Sequence, residues 1–264
     1  VWHNGYGQAV ATDFINRFQE DVQLMKLAGL THYRTSINWS RFLTDYENVT
    51  VDEEYAAYYD QLFDALLANG ITPMICLEHY ELPGYLLEKY GGWGSKTVVE
   101  LFVRYAEKVF AHYHPKVTRW FTFNEPIVVQ TRVYLDALRW PYEQNTSTWM
   151  QWNYHKVLAT ASVVKRFREL GYPGTVGCIL NPEVTYPRSR APHDLRAAKI
   201  YDLFYNRMFL DPLVHGVWPP ELLALLEQHQ VTWETSEEDL AVIREHTVDE
   251  LGINLYYPHR VKRS

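Results

Sequence analysis

The chain has 264 residues, 47% of them apolar and 22% charged, with a net charge of −7. That is the composition of a folded domain and excludes a disordered chain. The negative balance argues against nucleic acid or an anionic membrane surface as a partner. No apolar run is long enough to span a bilayer, and the length suits one large α/β domain or two small ones. Aromatic residues reach 15%, with nine Trp and twenty Tyr, which fits either a large aromatic core or a site that stacks sugar rings. The two cysteines, Cys76 and Cys178, fall inside strand-like runs. They read as buried reduced thiols, in keeping with a reducing compartment.

Residues 1–11 are polar and without period. Thr12 and Asp13 then read as the start of a helix whose apolar face is Phe14, Phe18, Val22 and Met25, closed by Gly29. A strand follows over 31–37, in which Arg34 and Ser36 share a face. An arginine embedded in a buried strand calls for a partner carboxylate or a functional role. A second amphipathic helix covers 53–69, with Asn69-Gly70 at its end. The next buried strand, 71–77, ends on Glu78-His79-Tyr80. Leu82-Pro83 opens a short helical piece, Gly91-Gly92-Trp93-Gly94 turns the chain, and Ser95 caps a helix over 96–112. The run Thr118–Glu125 is another buried strand. It stops on Asn124-Glu125-Pro126, where Pro126 is expected to hold Glu125 extended.

The connection from 127 to about 148 is too long for an ordinary loop and calls for function or irregular helix. A helix over 149–170 ends at Gly171, a strand over 175–180 ends at Asn181-Pro182, and helices fill 193–246 with breaks at Asp211-Pro212 and Pro219-Pro220. A last strand over 249–257 carries Asn254 and Tyr256 on one face. Five strands alternating with helices imply parallel pairing and right-handed crossovers in a single domain. Their tips carry Asn38, His79, Asn124, Glu125, Asn181, Asn254 and Tyr256. Polar groups at the same end of successive strands favour a barrel-type site over an open sheet with one switch point.

Several chemistries lack their motif. There is no G-x-G-x-x-G or Walker loop for a nucleotide, and no H-E-x-x-H or paired C-x-x-C for zinc, so no cofactor or metal is implied. Asn48-Val49-Thr50 and Asn145-Thr146-Ser147 match the glycosylation pattern, but such short matches arise by chance. What remains is the carboxylate at the strand tip. Glycosidic bonds are commonly cleaved by two carboxyl groups, one of them kept protonated by an apolar setting. Glu125, beside Trp120, Phe123 and Pro126, has such a setting; equally, it could be a carboxylate at a helix start. Asn124 and His79 could bind sugar hydroxyls, and Arg34 and Tyr256 could orient a second carboxylate. A core histidine and a structural ion pair are the plain readings of His79 and Arg34.

At these residues the chain resembles glycoside hydrolase family 1. Thr122-Phe123-Asn124-Glu125-Pro126 resembles its acid/base motif, and Tyr33-Arg34-Thr35-Ser36-Ile37-Asn38-Trp39-Ser40-Arg41 its second-strand motif. Leu77-Glu78-His79-Tyr80-Glu81-Leu82-Pro83 with Gly91-Gly92-Trp93 resembles the third-strand segment, and Gly252-Ile253-Asn254-Leu255-Tyr256 the sixth. The resemblance implies a (β/α)8 TIM barrel and a retaining mechanism. Glu125 would be the acid/base, Asn124 and His79 would bind the sugar, and Arg34, Asn254 and Tyr256 would surround the nucleophile. Tyr80 and Leu255 replace commoner aromatics, at positions expected to leave the chemistry untouched. Ala11-Thr12-Asp13-Phe14, Arg34-Thr35-Ser36-Ile37, Tyr186-Pro187-Arg188-Ser189 and Asn206-Arg207-Met208-Phe209-Leu210-Asp211-Pro212 look most like the bacterial 6-phospho-β-glucosidases, cytoplasmic enzymes that act on substrates such as cellobiose 6-phosphate.

The same resemblance says what is missing. The chain corresponds to the second to sixth strand units of a single catalytic barrel domain, 1–264, without its N- and C-terminal parts. Five strands cannot close an eight-stranded barrel, and the outer two would be left as open edges. The nucleophile, expected on the seventh strand, is not in this sequence. Val1 at the start points to a piece of a longer chain. The alternatives are a β-glucosidase or β-galactosidase acting on unphosphorylated sugars, a catalytically incompetent fragment that only binds carbohydrate, and an α/β binding protein unrelated to sugars.

Overall fold

In the computed structural model residues 11–263 are described, and the polar lead-in over 1–10 lies outside them. The first third of the chain comprises helix α1 (Phe14–Leu27), strand β1 (His32–Ser36), a single turn α2 (Trp39–Phe42), strands β2 (Leu43–Asp45) and β3 (Thr50–Val51), helix α3 (Glu53–Ala68) and strand β4 (Thr72–Glu78). Next come helices α4 (Gly84–Tyr90) and α5 (Lys96–Tyr113), strand β5 (Arg119–Asn124), a short α6 (Val128–Gln130), helix α7 (Thr146–Leu170), and strands β6 (Thr175–Leu180) and β7 (Thr185–Pro187). Helices α8 (Pro192–Tyr205), α9 (Arg207–His215), α10 (Pro220–Gln228) and α11 (Glu237–Glu245) lead to strands β8 (Glu250–Ile253) and β9 (His259–Val261).

Strands β1, β4, β5, β6 and β8 form one all-parallel sheet in that spatial order. Spatial order equals chain order, so every crossover steps the same way round. That is barrel winding; a doubly wound sheet reverses direction at a switch point. Two small sheets, antiparallel β2–β3 and parallel β7–β9, were not foreseen. Each pairs strands of two or three residues, too short for an alternating pattern to register.

The sheet's outer face is covered by α5 and α7. Ile75, Leu77, Trp120, Phe123 and Val176 pack there with Phe102, Tyr105, Phe110, Val157 and Val164. Phe102 stacks on Phe123 with ring centroids 4.9 Å apart, and Trp93 and Phe110 meet Phe123 and Trp120 edge-on. The intervening Cys76, Phe121 and Ile179 form a separate small cluster on the opposite face, as strand alternation requires. Both cysteines are buried and free. The Ser95 cap and the Gly171 stop hold, Gly171 ending α7 in the left-handed conformation, and Asp52, Asn145 and Ser236 also cap their helices through side-chain oxygens. Asn145 is therefore occupied as a cap. One glycine is set by close approach: a Cβ on Gly174, which has φ +131°, would sit 2.2 Å from the Thr118 carbonyl oxygen.

Four expectations are corrected. Helix α9 runs through Pro212 without breaking at Asp211-Pro212. The Met208 carbonyl, which Pro212 cannot reach with an N–H, accepts Trp218 Nε1 at 3.0 Å, and Arg207 clamps Asp211 one turn on. The last strand stops at Ile253, so Tyr256 lies in the loop beyond it. Arg34 is exposed, because β1 is an edge strand with no neighbour on its outer side among the described residues. Glu125 is not extended but has φ +48°. Its N–H reaches across to the Ile179 carbonyl at 2.8 Å, and its own carbonyl already accepts Val128 N–H at 3.1 Å, so the chain turns there. The irregular connection is as expected: a turn of π-helix, Thr131–Leu135, follows α6.

Candidate active site

The tips of β1, β4, β5 and β8 bring most of the expected residues together around Asn124 and Glu125. Asn124, the last residue of β5, is 2% exposed, and Glu125 is 7% exposed. Arg34 Nη1 and Asn254 Nδ2 both donate to Asn124 Oδ1, each at 3.0 Å. Asn254 Nδ2 also donates to Glu125 Oε1 at 2.8 Å, and the Tyr256 hydroxyl donates to the same oxygen at 2.9 Å. The other carboxyl oxygen, Oε2, accepts the Tyr80 hydroxyl. Arg34 has no carboxylate within ion-pair distance among the described residues; its partner is an amide.

Arg34, Asn254 and Tyr256 thus converge as a group, but on Asn124 and Glu125. No second carboxyl is hydrogen-bonded into this cluster among the described residues. His79 stands at the same rim, exposed, with its ring edge-on to Tyr80 at 5.1 Å. It is not a core histidine. Burial by its surroundings pushes its pKa below the usual imidazole value, Arg34 adds to this, and Glu125 opposes it. The ring makes no side-chain hydrogen bond to the cluster among the described residues. Asn38 and Asn181 are spent elsewhere: Asn38 caps α2 and Asn181 donates to the Tyr205 hydroxyl at 2.8 Å.

Tyr80 has a larger part in the cluster than its type suggests. It was expected to leave the chemistry untouched, yet it is the group on Oε2. Burial, and then the hydrogen bond to Glu125, push its phenol pKa up, so it stays a neutral donor. Both Tyr80 and Glu125 hold positive φ, +75° and +48°. For non-glycine residues that conformation costs on the order of 1–3 kcal/mol and persists only where the surroundings enforce it.

A second group of charges lies beneath. Glu78 and Lys156 are each 1% exposed. Lys156 Nζ donates to the carbonyl of Pro126 at 3.2 Å and sits over the Phe123 and Trp93 rings at 5.4 and 5.8 Å. Burial pushes the Lys156 pKa down and the Glu78 pKa up, and each partly restores the other's charge. Glu81 accepts the His79 backbone N–H at 2.9 Å, and burial beside Glu78 pushes its carboxyl up to about 8. These groups pin the backbone on either side of the cluster: Lys156 holds the residue after Glu125, and Glu81 holds the residue before Tyr80.

Two cavities flank the cluster. One of about 300 Å³ is lined by Tyr80, Trp93, Tyr134, Trp140, Trp152 and Lys156. Another of about 720 Å³ lies beyond Ile127, between Arg132, Trp149, Glu183, Tyr201 and Tyr257. Volumes of this order hold small organic ligands. Chemically, the cluster offers one water-shielded carboxyl with donors on both oxygens, able to hold or pass a single proton. Among the described residues, no three His, Cys, Asp or Glu side chains converge as a metal site, and no helix is long and apolar enough to cross a membrane.

The model of Glycosyl hydrolase family 1 matches residues 2–264. The 6-phospho-beta-glucosidase GmuD of Bacillus subtilis is 38% identical over 256 residues, which cover 97% of this chain and 55% of GmuD. Beta-glucosidase A of Acetivibrio thermocellus is 31% identical, over 98% of this chain and 57% of its own length. Among solved structures, the psychrophilic beta-glucosidase BglU from Micrococcus antarcticus superposes with a TM-score of 0.88 at 35% identity, covering 98% of this chain and 54% of that one. The beta-glucosidase of Thermotoga maritima in complex with glucoimidazole gives 0.90 at 31% identity, covering 99% and 59%. The chain spans about half the length of the curated relatives it matches. Its five parallel strands are accordingly part of a (β/α)8 TIM barrel of the glycosidase type, and the chain belongs to glycosyl hydrolase family 1.

Proposed function

We propose that the chain is the acid/base-bearing part of a single catalytic barrel domain that hydrolyses β-glycosides with retention of configuration. The observation that carries this reading is the Glu125 carboxyl, 7% exposed at the tip of β5 and hydrogen-bonded from the β4 and β8 sides. Glu125 gives its proton to the oxygen of the leaving group and later takes one from the attacking water. Asn124 and His79 bind hydroxyls of the sugar at the reacting ring. Arg34, Asn254 and Tyr256 orient the carboxylate that attacks the anomeric carbon. That carboxylate belongs to the half of the relatives' length that this chain does not cover. No cofactor takes part.

The proposed substrate is a small 6-phosphorylated β-glucoside such as cellobiose 6-phosphate, handled in the cytoplasm. The similarity to 6-phospho-beta-glucosidase GmuD at 38%, and to Aryl-phospho-beta-D-glucosidase BglH of Bacillus subtilis at 33%, supports the phosphorylated substrate. The buried free thiols of Cys76 and Cys178 support the compartment. A second reading, an unphosphorylated β-glucoside, is favoured by the 35% identity to beta-glucosidase BglU. Comparing a chromogenic β-glucoside with its 6-phosphate on the full-length protein separates the two. Preference for the phosphorylated compound supports the first reading, and preference for the plain glucoside replaces it with the second.

The 264 residues by themselves are expected not to turn over either compound. Double displacement needs two carboxyl groups about 5–5.5 Å apart. Hydrolysis by the purified chain that Glu125→Gln abolishes would overturn that expectation.

A further inference from the structure

The backbone that carries Glu125 is short of hydrogen bonds. Glu125 has φ +48°, which a non-glycine residue keeps only where its surroundings enforce it. Its N–H is spent on the Ile179 carbonyl, and its own carbonyl takes the Val128 N–H. The next residue, Pro126, is buried and has no N–H to give. No backbone N–H reaches the Pro126 carbonyl among the described residues. The donor on that carbonyl is a side chain, Lys156 Nζ, at 3.2 Å. Without it a buried carbonyl would stand unpaired beside Glu125, and the turn would shift to find a partner.

Lys156 is itself firmly placed. It lies well inside the 25-residue helix α7. One turn further on, Thr160 Oγ1 donates to the Lys156 carbonyl at 3.0 Å and lies 3.0 Å from Thr122 Oγ1. Thr122 is on β5, two residues before Asn124, so helix and strand are tied together next to the tip. The Phe123 and Trp93 rings hold the cation from 5.4 and 5.8 Å. Among the described residues the Pro126 carbonyl is the one hydrogen-bond acceptor that Nζ has.

We propose that Lys156 is a positioning residue: through the Pro126 carbonyl it holds Glu125 in the positive-φ turn that places its carboxyl among Tyr80, Asn254 and Tyr256. This rests on Glu125 being the acid/base. The bond to the carbonyl needs an N–H and not a charge, so a neutral amine does the same work as an ammonium. A plain structural role would be different: Lys156 would then serve only to balance the buried Glu78 carboxyl, and removing both together would restore what removing one had lost.

The test compares three variants of the full-length protein. Lys156→Met keeps the apolar stem and removes the donor; Glu78→Gln keeps the donor and removes the carboxylate; the double variant removes both charges. Each is measured for urea stability and for kcat/KM on two β-glucosides. One has an alkyl or sugar leaving group, which needs a proton, and the other 2,4-dinitrophenolate, which does not. Lys156→Met and the double variant are expected to lose roughly tenfold to a hundredfold on the poor leaving group, the scale of a displaced catalytic group. On the activated one they are expected to stay within about threefold, since no acid assistance is lost there. Glu78→Gln is expected to lose stability but to stay within about threefold on both substrates. Recovery of the poor leaving group in the double variant would overturn the proposal, as would a loss in Glu78→Gln that matches Lys156→Met, or equal losses of Lys156→Met on both substrates. If Glu125→Gln leaves the poor leaving group unaffected, the acid/base reading itself fails. If Glu125→Gln is impaired while the double variant is not, only the role of Lys156 fails.

Discussion

Lys156→Met removes the buried ammonium that lies under the Glu125 tip. Three terms bear on the size of the effect. The hydrogen bond from Nζ to the Pro126 carbonyl is charge-assisted and contributes on the order of 1.5–3 kcal/mol. The positions over the Phe123 and Trp93 rings add about 0.5–1 kcal/mol each. Against these stands the cost of burying an ammonium, several kcal/mol, which is why burial depresses the Lys156 pKa. The deciding factor is Glu78. With Lys156 gone it is a carboxyl 1% exposed whose Oε2 has no hydrogen-bond partner among the described residues.

Breaking a buried charge pair in contact costs about 3–5 kcal/mol; Lys156 and Glu78 act on each other without forming a salt bridge, and Glu78 can take up a proton, so the cost here is lower. Lys156→Met should therefore destabilise by about 2–4 kcal/mol, and Lys156→Met with Glu78→Gln should regain at least about 1 kcal/mol of it. Urea unfolding followed by circular dichroism at pH 7 measures both. Additivity of the two single changes to within about 0.5 kcal/mol would refute the coupling.

Glu81 gives a pH prediction. Its carboxyl is raised from 4.5 to about 8 in the folded state, so the folded chain holds a proton that the unfolded chain has lost. Stability is fully present below about pH 4.5 and falls as the pH rises towards 8, by on the order of a few kcal/mol, and Glu81→Gln flattens that slope in pH-dependent unfolding. Gly174→Ala places a Cβ 2.2 Å from the Thr118 carbonyl at φ +131°, so it should destabilise by at least about 2 kcal/mol in the same assay; a neutral result would contradict the close approach. Tyr256→Phe removes one of two donors on Glu125 Oε1 and should change stability by no more than about 1 kcal/mol, because the hydroxyl lies on an exposed residue, while measurably lowering kcat in the full-length protein.

Strands β4, β5 and β6 were legible because each is a short, mostly apolar run that stops on polar residues, and Thr118–Glu125 is the clearest case. The Ser95 cap was legible for the same local reason: its side chain acts on Thr97, two residues on. What escaped depends on distant partners. Pro212 stays inside α9 only because Trp218 takes the carbonyl it orphans. Arg34 reads as embedded in a buried strand, although the count of five strands already leaves β1 as an open edge, and it is exposed for that reason. Pro126 suggested an extended Glu125, but the N–H of Glu125 is drawn to Ile179, 54 residues away, and the turn follows from that contact. The carboxylate and its amide neighbour could be picked out by type and place. The donors on them could not be assigned, because Tyr80, Asn254 and Tyr256 reach Glu125 across 45, 129 and 131 residues.

The central claim is that Glu125 donates the proton that releases the leaving group. Its most direct test is kcat/KM of the full-length Glu125→Gln protein on a β-glucoside, plain or 6-phosphorylated, with an alkyl or sugar leaving group. Positioned general acid catalysis contributes roughly 10²–10⁴-fold, so a loss of that size is predicted, with a far smaller loss when the leaving group is 2,4-dinitrophenolate. Unimpaired turnover of the poor leaving group by Glu125→Gln would contradict the account.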